Sequence, residues 1–275
     1  MLLFTQYRIA ATNTFWLLWH SLRILPFQTW FSCWFPLRIS KQIVFGNLLF
    51  SLRGKRLRDT IVDLYMALLC FHDEQYNPPP DFILREGDTV IDIGGHIGSF
   101  ALYAASRVGS RGNVYVYEPA SDNNTHLRHN VAQSGFLNVR VEAAAIAGSR
   151  GVRRFVYDPV NTAMHGLYQR NTNSIDVPAI TLADIFFEHR IDRCNFLKID
   201  CEGAEYEILY NTPRAILERV DRIAMEYHNP PFYGLNESDH DSDRLAAFLR
   251  DAGFSVRMAP ENRMHGLLFA SRIRR

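Results

Sequence analysis

The stretch VIDIGGHIGSF at residues 90–100 decides the fold, because it joins three kinds of sequence within one short segment. Val90 to Ile93 is β-branched and apolar apart from Asp92, two glycines follow, and an apolar run begins after Gly98. This pattern predicts a buried strand, a glycine turn and the start of a helix. Glycines suit such a turn because they adopt positive φ and let a ligand approach the backbone without a Cβ in the way.

The spacing of these glycines distinguishes between two kinds of nucleotide ligand. The glycines stand at 94, 95 and 98, which does not match the dinucleotide fingerprint GxGxxG. With Asp92 the pattern becomes DxGGxxG, and this carboxylate would repel a pyrophosphate but attract a positive group. The turn therefore favours a nucleotide that carries a sulfonium or an amine.

Strand patterns alternate with helix patterns after the proline-rich stretch at 77–81. Such alternation predicts an α/β fold with a mostly parallel sheet and helices on both faces. The seven predicted strands are 89–93, 113–118, 139–144, 195–200, 222–227, 254–259 and 266–271. The last two form an antiparallel hairpin at the sheet edge, and 153–158 with 174–182 form an inserted hairpin. Upstream, 42–53 predicts a hairpin that turns at Gly46-Asn47, and 58–71 predicts a helix.

The N-terminal part of the chain differs from the rest in charge and aromatic content. Residues 1–58 contain eight Lys or Arg and no acid, so the other 217 residues carry 22 basic and 29 acidic side chains. All four tryptophans lie in the first 40 residues, but no apolar run there reaches the roughly 18–20 residues that span a bilayer. Short helices packing on the main domain or on a second subunit are favoured; a helix lying on an anionic membrane, or a signal peptide, are the alternatives. We predict an aromatic basic segment at 1–40, a hairpin and helix extension at 41–80 and the main domain at 81–275.

Acidic side chains stand where several predicted strands end. In an open parallel sheet, ligands bind beyond the carboxyl ends of the strands, near the point where the strand order reverses. Glu118 ends the second strand, 26 residues after Asp92, where an acid can accept hydrogen bonds from both hydroxyls of a ribose. The fourth and fifth strands end in LKIDCEGAE and MEYHN, which add Asp200, Glu202, Glu205, Glu226 and His228. Crowded carboxylates raise one another's pKa values, so this edge indicates a positive ligand or proton transfer.

The runs VIDIGGHIGSF, VYVYEP, LKIDCEGAE and MEYHN resemble the FkbM family of S-adenosylmethionine-dependent methyltransferases, over roughly residues 78–255. The resemblance implies a class I Rossmann-like core, S-adenosylmethionine as cofactor, and O-methylation of a hydroxyl, often on a sugar or a natural product. It implies a cofactor turn formed by Asp92, Gly94, Gly95, His96 and Gly98, with Glu118 on the ribose. Glu142 and Ala143 would border the adenine, and Asp200 would lie beside the methionine portion or the reacting centre. At His96 small or polar residues are usual, which favours a backbone contact over catalysis.

An alcohol is a poor nucleophile, so its methylation needs alignment of the oxygen and benefits from a nearby base. His228 and Glu202 are the candidates: histidine titrates near neutrality, and acidic neighbours would raise the pKa of Glu202. Two other interpretations stay open, in which His228 caps a turn and Glu202 favours a helix N-terminus. A Mg²⁺ ion held by Asp200, Glu202, Glu226 and His228 is conceivable, but the spacing requires no metal.

Other function classes fit less well. A short-chain oxidoreductase needs a Tyr four residues before a Lys, where Leu37, Ser51 and Cys194 stand instead. The P-loop spacing is absent, and the acidic catalytic half argues against nucleic acid as a partner. A catalytically silent cofactor-binding protein or a membrane-associated scaffold is the remaining alternative. Four cysteines without paired spacing favour a cytoplasmic protein. Its partners would be a small-molecule or glycan acceptor, with peripheral membrane contact through residues 1–40 and a homo-oligomer as further options.

Overall fold

The computed structural model describes residues 17–19, 21–25, 27–34, 41–54, 56–76, 80–157, 165–168, 173–230, 235–236 and 238–273. The strands are β1 (Lys41–Phe45), β2 (Leu48–Leu52), β3 (Thr89–Ile93), β4 (Asn113–Tyr117), β5 (Val139–Glu142), β6 (Ala145–Ile146), β7 (Gly151–Val156), β8 (Ser174–Ile180), β9 (Phe196–Ile199), β10 (Arg222–His228), β11 (Phe254–Pro260) and β12 (His265–Arg272). The helices are α1 (Phe27–Trp34), α2 (Leu57–Phe71), α3 (Ser99–Val108), α4 (Ser121–Ser134), α5 (Leu182–Glu188), α6 (Glu205–Tyr210), α7 (Arg214–Leu217) and α8 (Ser242–Asp251), with a 3-10 turn at Pro80–Phe82.

The main sheet has seven strands in the order β11-β12-β10-β9-β3-β4-β5. Five of these strands, β10, β9, β3, β4 and β5, run parallel to one another, and β12 lies antiparallel between β10 and β11. The predicted α/β class, the seven-stranded mostly parallel sheet and the antiparallel last strand are therefore confirmed. The strand order reverses between β3 and β9, which places the carboxyl ends of these two strands at the switch point.

Alternate residues of the central strands pack into two different hydrophobic layers. Ile91, Tyr115 and Leu197 belong to a cluster with α5, α6 and α8. The neighbouring Val90 and Val114 belong to a second cluster, which includes residues of α3 and α4. Because helices cover both faces of the sheet, the sequences of these strands are almost continuously apolar.

Two small sheets flank the main one. β1 and β2 form the predicted hairpin, with Phe45 opposite Leu48 across the Gly46-Asn47 turn. β7 and β8 form the predicted inserted hairpin, and β6 adds to it in parallel with β8. The predicted strand 139–144 is too long, because the chain leaves the main sheet after Glu142 to form β6.

The described part of the N-terminal extension packs on the main domain. Ile43, Phe50 and Leu64 share a hydrophobic cluster with Ile97 and Leu102, which lie beside and within α3. The Asn130 side chain accepts from the Ser51 N–H at 2.9 Å and donates to the Ser51 carbonyl at 3.0 Å. Residues 1–16 and 35–40 of the aromatic basic segment lie outside the described residues. Among the helices that the structure describes, none is both long and apolar enough to cross a membrane.

Candidate active site

The glycine turn after β3 is required by the protein's own packing. Gly94 and Gly98 have φ values of 83° and 97°, in the left-handed region. A Cβ on Gly94 would lie 1.8 Å from the carbonyl oxygen of Asp200, and one on Gly95 would lie 2.3 Å from Val116 Cγ2. Glycine at both positions therefore lets the turn approach β9 and β4 closely, and the expectation that the turn also admits a ligand stays a prediction.

A buried lysine lies between the acids at the ends of β3 and β9. Lys198 Nζ is 3.1 Å from Asp92 Oδ1 and 3.7 Å from Asp200 Oδ2, and it donates to the Gly94 carbonyl at 2.7 Å. Burial opposes the charge, but Asp92 and Asp200 outweigh it and raise the pKa of Lys198. Asp92 is fully buried, and neither of its carboxylate oxygens accepts a hydrogen bond of good geometry from the described residues. No motif in the sequence assigns Lys198 a site role, although a lone Lys in an apolar strand indicates a buried ion pair.

A second overlooked residue comes from the N-terminal extension. The Tyr76 hydroxyl donates to Asp200 Oδ2 at 3.0 Å, and the residue is 2% exposed. Burial, followed by the charge of Asp200, raises the pKa of Tyr76 well above its ordinary value, so the hydroxyl remains a donor. Asp200 is thus held between a tyrosine and the Lys198 ammonium.

Glu118 lies just after β4 and faces the glycine turn. Its Oε2 accepts from the backbone N–H of His96 at 2.9 Å, and its Oε1 accepts from that of Ala120 at 2.8 Å. Burial raises the pKa of Glu118 to about 7, against the opposing effect of these hydrogen bonds. The carboxylate is therefore oriented by the same turn that follows β3.

His228, at the end of β10, lies among three glutamates. Glu205 Oε1 accepts from the His228 backbone N–H at 2.7 Å and lies 3.1 Å from His228 Nδ1. On the other side of the ring, Nε2 is 3.6 Å from Glu202 Oε2 and 3.6 Å from Glu226 Oε1. Glu202 has a φ of 56°, a left-handed conformation that is strained for a residue with a side chain.

The charges in this cluster shift one another's protonation. Burial opposes the charge on His228, but Glu205 and Glu202 attract it and raise the pKa of His228 to about 10. Burial raises the pKa of Glu202 well above its ordinary value, although His228 opposes the rise. Burial and Asp200 raise the pKa of Glu226 to about 8. His228 therefore holds a proton at neutral pH, and burial shifts Glu202 toward its neutral form.

A cleft with about 620 Å³ of empty space lies beside the ends of β3, β4 and β9. Its lining residues are Met66, Ile93, Gly94, His96, Tyr117, Glu118, Pro119, Asn123, Ala144, Ala145, Ile146, Phe155, His165, Leu167, Asp200, Cys201, Glu202 and Ala204. Five predicted site residues thus line one cleft: Gly94, His96, Glu118, Asp200 and Glu202.

The other predicted site residues lie outside the lining of this cleft. Asp92, Gly95 and Gly98 belong to the end of β3 and the glycine turn, and His228 lies behind Glu202. Glu142 and Ala143 are exposed, whereas Ala144, Ala145 and Ile146 line the cleft, so this wall begins two residues after the first residue of the predicted pair. The reason is the early end of β5. Within the described ranges no three His, Cys, Asp or Glu side chains are grouped to hold a metal ion, including the four considered for Mg²⁺.

The donors and acceptors of this cleft fit a nucleoside with a positive group. Glu118 offers a carboxylate to ribose hydroxyls, and Asp200 and Glu202 add two further carboxylates to the lining of the cleft. Carboxylates at the switch point provide the negative field that a sulfonium requires. The chain is an S-adenosylmethionine-dependent methyltransferase with a Rossmann-like fold.

The chain belongs to the methyltransferase FkbM domain family, whose model matches residues 92–256. It is 26% identical over 204 residues to the 31-O-demethyl-FK506 methyltransferase FkbM of Streptomyces tacrolimicus, covering 63% of this chain and 75% of that protein. It is 22% identical to methyltransferase 1 of Beauveria bassiana, over 68% of this chain and 78% of that protein. Among solved structures, an S-adenosylmethionine-dependent methyltransferase from Aquifex aeolicus aligns with a TM-score of 0.39 and 18% identity, over 69% of this chain and 85% of that one.

Proposed function

We propose that this methyltransferase acts on a hydroxyl of a sugar, a glycolipid or a natural product, and that Glu202 removes the hydroxyl proton. The position of Glu202 in the cleft, beside His228, carries the proposal. Its carboxylate lines the cleft, its Oε2 has no hydrogen-bond partner among the described residues, and burial raises its pKa well above the ordinary value. A base with a raised pKa is suited to an alcohol at neutral pH.

His228 and Glu205 act in this proposal as positioning residues. A histidine with a pKa raised to about 10 is protonated at neutral pH and cannot accept the substrate proton. Its charge, 3.6 Å from Glu202 Oε2, instead keeps the carboxylate able to ionise in a buried place. Glu205 fixes the ring through Nδ1. We therefore assign the base to Glu202, one of the two residues that the sequence predicts.

The proposal also assigns a role to each group of residues that lines the cleft. When bound, the cofactor supplies a methyl group that its sulfonium makes electrophilic. The turn at 94–98 would hold the cofactor through its backbone, Glu118 would bind the ribose, and Ala144 to Ile146 would border the adenine. Asp200, oriented by Tyr76, would face the reacting centre. Met66, Phe155 and Leu167 provide an apolar surface that excludes water while the acceptor oxygen is aligned.

The choice of oxygen as acceptor is supported by one relative's name. The Streptomyces protein is named as a methyltransferase of 31-O-demethyl-FK506, which denotes transfer to an oxygen. A base that removes a proton is needed for an alcohol and is less needed for a neutral amine. The site chemistry and the name therefore agree.

A radioactive methyl-transfer assay tests this function. Tritiated S-adenosylmethionine would be incubated with panels of glycans, lipids and hydroxylated small molecules, and the bond in the product identified by mass spectrometry. We expect O-methylation that Glu202→Gln slows by about 100-fold or more. Glu218 is exposed and pairs with Arg214 away from the cleft, so Glu218→Gln is the matched control and should keep full activity.

Binding measurements distinguish an active methyltransferase from a catalytically silent cofactor-binding protein. Calorimetry should show that Glu202→Gln still binds S-adenosylhomocysteine and that Glu118→Ala binds it markedly more weakly. Cofactor binding without transfer to any acceptor would favour a catalytically silent protein. A methylated nitrogen in the product would contradict the proposal directly.

A further inference from the structure

We infer, on the basis of the proposed cofactor site, that the N-terminal extension completes that site through Arg53. Arg53 fixes the His96 ring so that its Nδ1–H donates to an oxygen of the bound cofactor. Arg53 follows β2, and its partner Asp63 lies in α2. Both residues lie outside the span that matches the family model.

Arg53 is held rigidly in the interior. It is 3% exposed, and Asp63, which is fully buried, accepts from its backbone N–H at 2.7 Å and from its Nε at 3.1 Å. Its Nη1 donates to Asn123 Oδ1 at 2.6 Å. Its Nη2 lies 2.7 Å from His96 Nε2. The guanidinium is thus fixed on three sides and can move little relative to the glycine turn.

This contact determines where His96 carries its proton. A guanidinium can only donate, so His96 Nε2 must be the acceptor and the ring hydrogen lies on Nδ1. Burial, reinforced by the charge of Arg53, lowers the pKa of His96 well below its ordinary value, and the ring is neutral. The Nδ1–H is therefore a donor.

That donor has no acceptor in the described protein. His96 is 8% exposed and lines the cleft, and its Nδ1 makes no hydrogen bond. A buried unsatisfied donor destabilises the folded protein, so its retention beside a ligand cleft points to an acceptor on the ligand. The His96 backbone N–H donates to Glu118 Oε2, which places the ring next to the proposed ribose contact. A ribose hydroxyl or the carboxylate of the amino-acid end would satisfy it.

Calorimetric titration with two ligands tests the inference. S-adenosylhomocysteine carries both a ribose and a carboxylate, whereas 5′-methylthioadenosine lacks the carboxylate. We expect His96→Ala to weaken S-adenosylhomocysteine binding about tenfold, as loss of one hydrogen bond predicts. If the ribose is the acceptor, both ligands weaken alike; if the carboxylate is, 5′-methylthioadenosine keeps its affinity. His129→Ala, which removes an exposed histidine on α4, should bind both ligands as the wild type does.

A test of the role of Arg53 requires a variant that still folds. Removing Arg53 alone would strand the Asp63 charge, so the pair is replaced together as Arg53→Met with Asp63→Leu, a change that is often neutral for stability. We expect this double variant to keep its melting temperature within a few degrees and to bind S-adenosylhomocysteine about tenfold more weakly. In the His96→Ala background the same double change should have little further effect, because the coupling runs through the ring.

Nitrogen NMR of the wild-type protein gives a test that needs no variant. With ¹⁵N-labelled histidine, His96 should show a protonated Nδ1 whose shift moves when S-adenosylhomocysteine binds. A protonated Nε2, or a folded double variant that binds within twofold of the wild type, would overturn the inference while leaving the cofactor site intact. Failure of the wild type to bind either nucleoside would overturn the cofactor assignment and the inference together.

Discussion

Glu118 is buried, and the two N–H groups that it accepts from do not fully replace the water that it loses, so its pKa rises to about 7. The residue therefore favours its protonated form in the folded protein, whereas in the unfolded chain it ionises at its ordinary value of 4.5. This contribution to stability is complete below the unfolded pKa and is lost as the pH rises through 7. A shift of this size is worth roughly 3 kcal/mol.

Replacing Glu118 by Gln should remove this pH dependence. We expect the wild type to lose about 2 kcal/mol more unfolding free energy than Glu118→Gln between about pH 5 and pH 8. Urea denaturation of both proteins at the two pH values measures the difference, and the other titrating groups cancel because they are common to both. Parallel stability changes in the two proteins would show that Glu118 ionises normally.

The Lys198 ammonium lies between Asp92 at the end of β3 and Asp200 just after β9, and its charge stabilises both carboxylates. Its replacement by Met leaves the buried Asp92 carboxylate without its ion pair, and breaking a buried pair usually costs about 3–5 kcal/mol. We expect Lys198→Met to lose about 3 kcal/mol or more in urea denaturation, and the added change Asp92→Asn to recover part of that loss. As a control, Arg111→Met breaks an exposed pair with Glu86 and should cost less than about 1 kcal/mol. Equal losses for the two single variants would contradict this role.

At the scale of elements, the glycine turn between β3 and α3 offers a matched comparison. Gly94 and Gly135 both have positive φ, but a Cβ on Gly135 would meet nothing within 4 Å, whereas one on Gly94 would meet the Asp200 carbonyl. Ala at Gly135 should therefore cost only about 1 kcal/mol, the usual strain of a left-handed residue. Ala at Gly94 should cost several kcal/mol more, because β9 would have to move away from the turn. Thermal unfolding measures both, and similar losses would show that the turn is not packed tightly on β9.

Local sequence predicts these elements well where pattern and burial agree. β3 was predicted to the residue, because an apolar strand bounded by polar residues and glycines leaves little choice. β5 was predicted too long, since VRVEAA continues its apolar pattern after the chain has left the main sheet. Local sequence patterns do not predict which strands become neighbours in the sheet. Only the pairing of β3 with β9 sets Asp92 opposite Lys198.

Candidate site residues follow the same rule. Those that end strands, such as Glu118 and Asp200, could be predicted, because parallel strands bring their carboxyl ends to one edge. The roles of Tyr76 and Arg53 could not, since each depends on how the N-terminal extension docks. Arg53 reaches His96 across 43 residues of sequence, and Tyr76 reaches Asp200 across 124.

At the scale of the whole molecule, the chain divides into a basic N-terminal part, residues 1–58, and an acidic remainder, and Arg53 of the basic part contacts His96, which lines the cleft. Met66 of α2 lines the cleft together with residues of the main sheet and of the inserted hairpin. Part of the positive charge of the N-terminal part is used internally, since Arg53 pairs with Asp63 and Lys41 is buried. Arg23, Arg56 and Arg58 remain exposed. The N-terminal part therefore combines a contribution to the site with a positive outer surface.

Exposed aromatic side chains on this outer surface lead to a prediction about membranes. Trp19 is 51% exposed and Phe27 is 67% exposed, and no acid lies in residues 1–58. Aromatic and arginine side chains together favour binding to an anionic bilayer surface. We expect the full chain to float with vesicles that contain phosphatidylserine, and to lose this binding when residues 1–40 are deleted, when Trp19 and Phe27 are both changed to Ser, or at high salt. Val152→Ser with Phe187→Ser removes two exposed apolar side chains elsewhere and should leave flotation unchanged. Flotation of the deleted form, or failure of the full chain to float, would show that these aromatics serve packing or another partner instead of a bilayer.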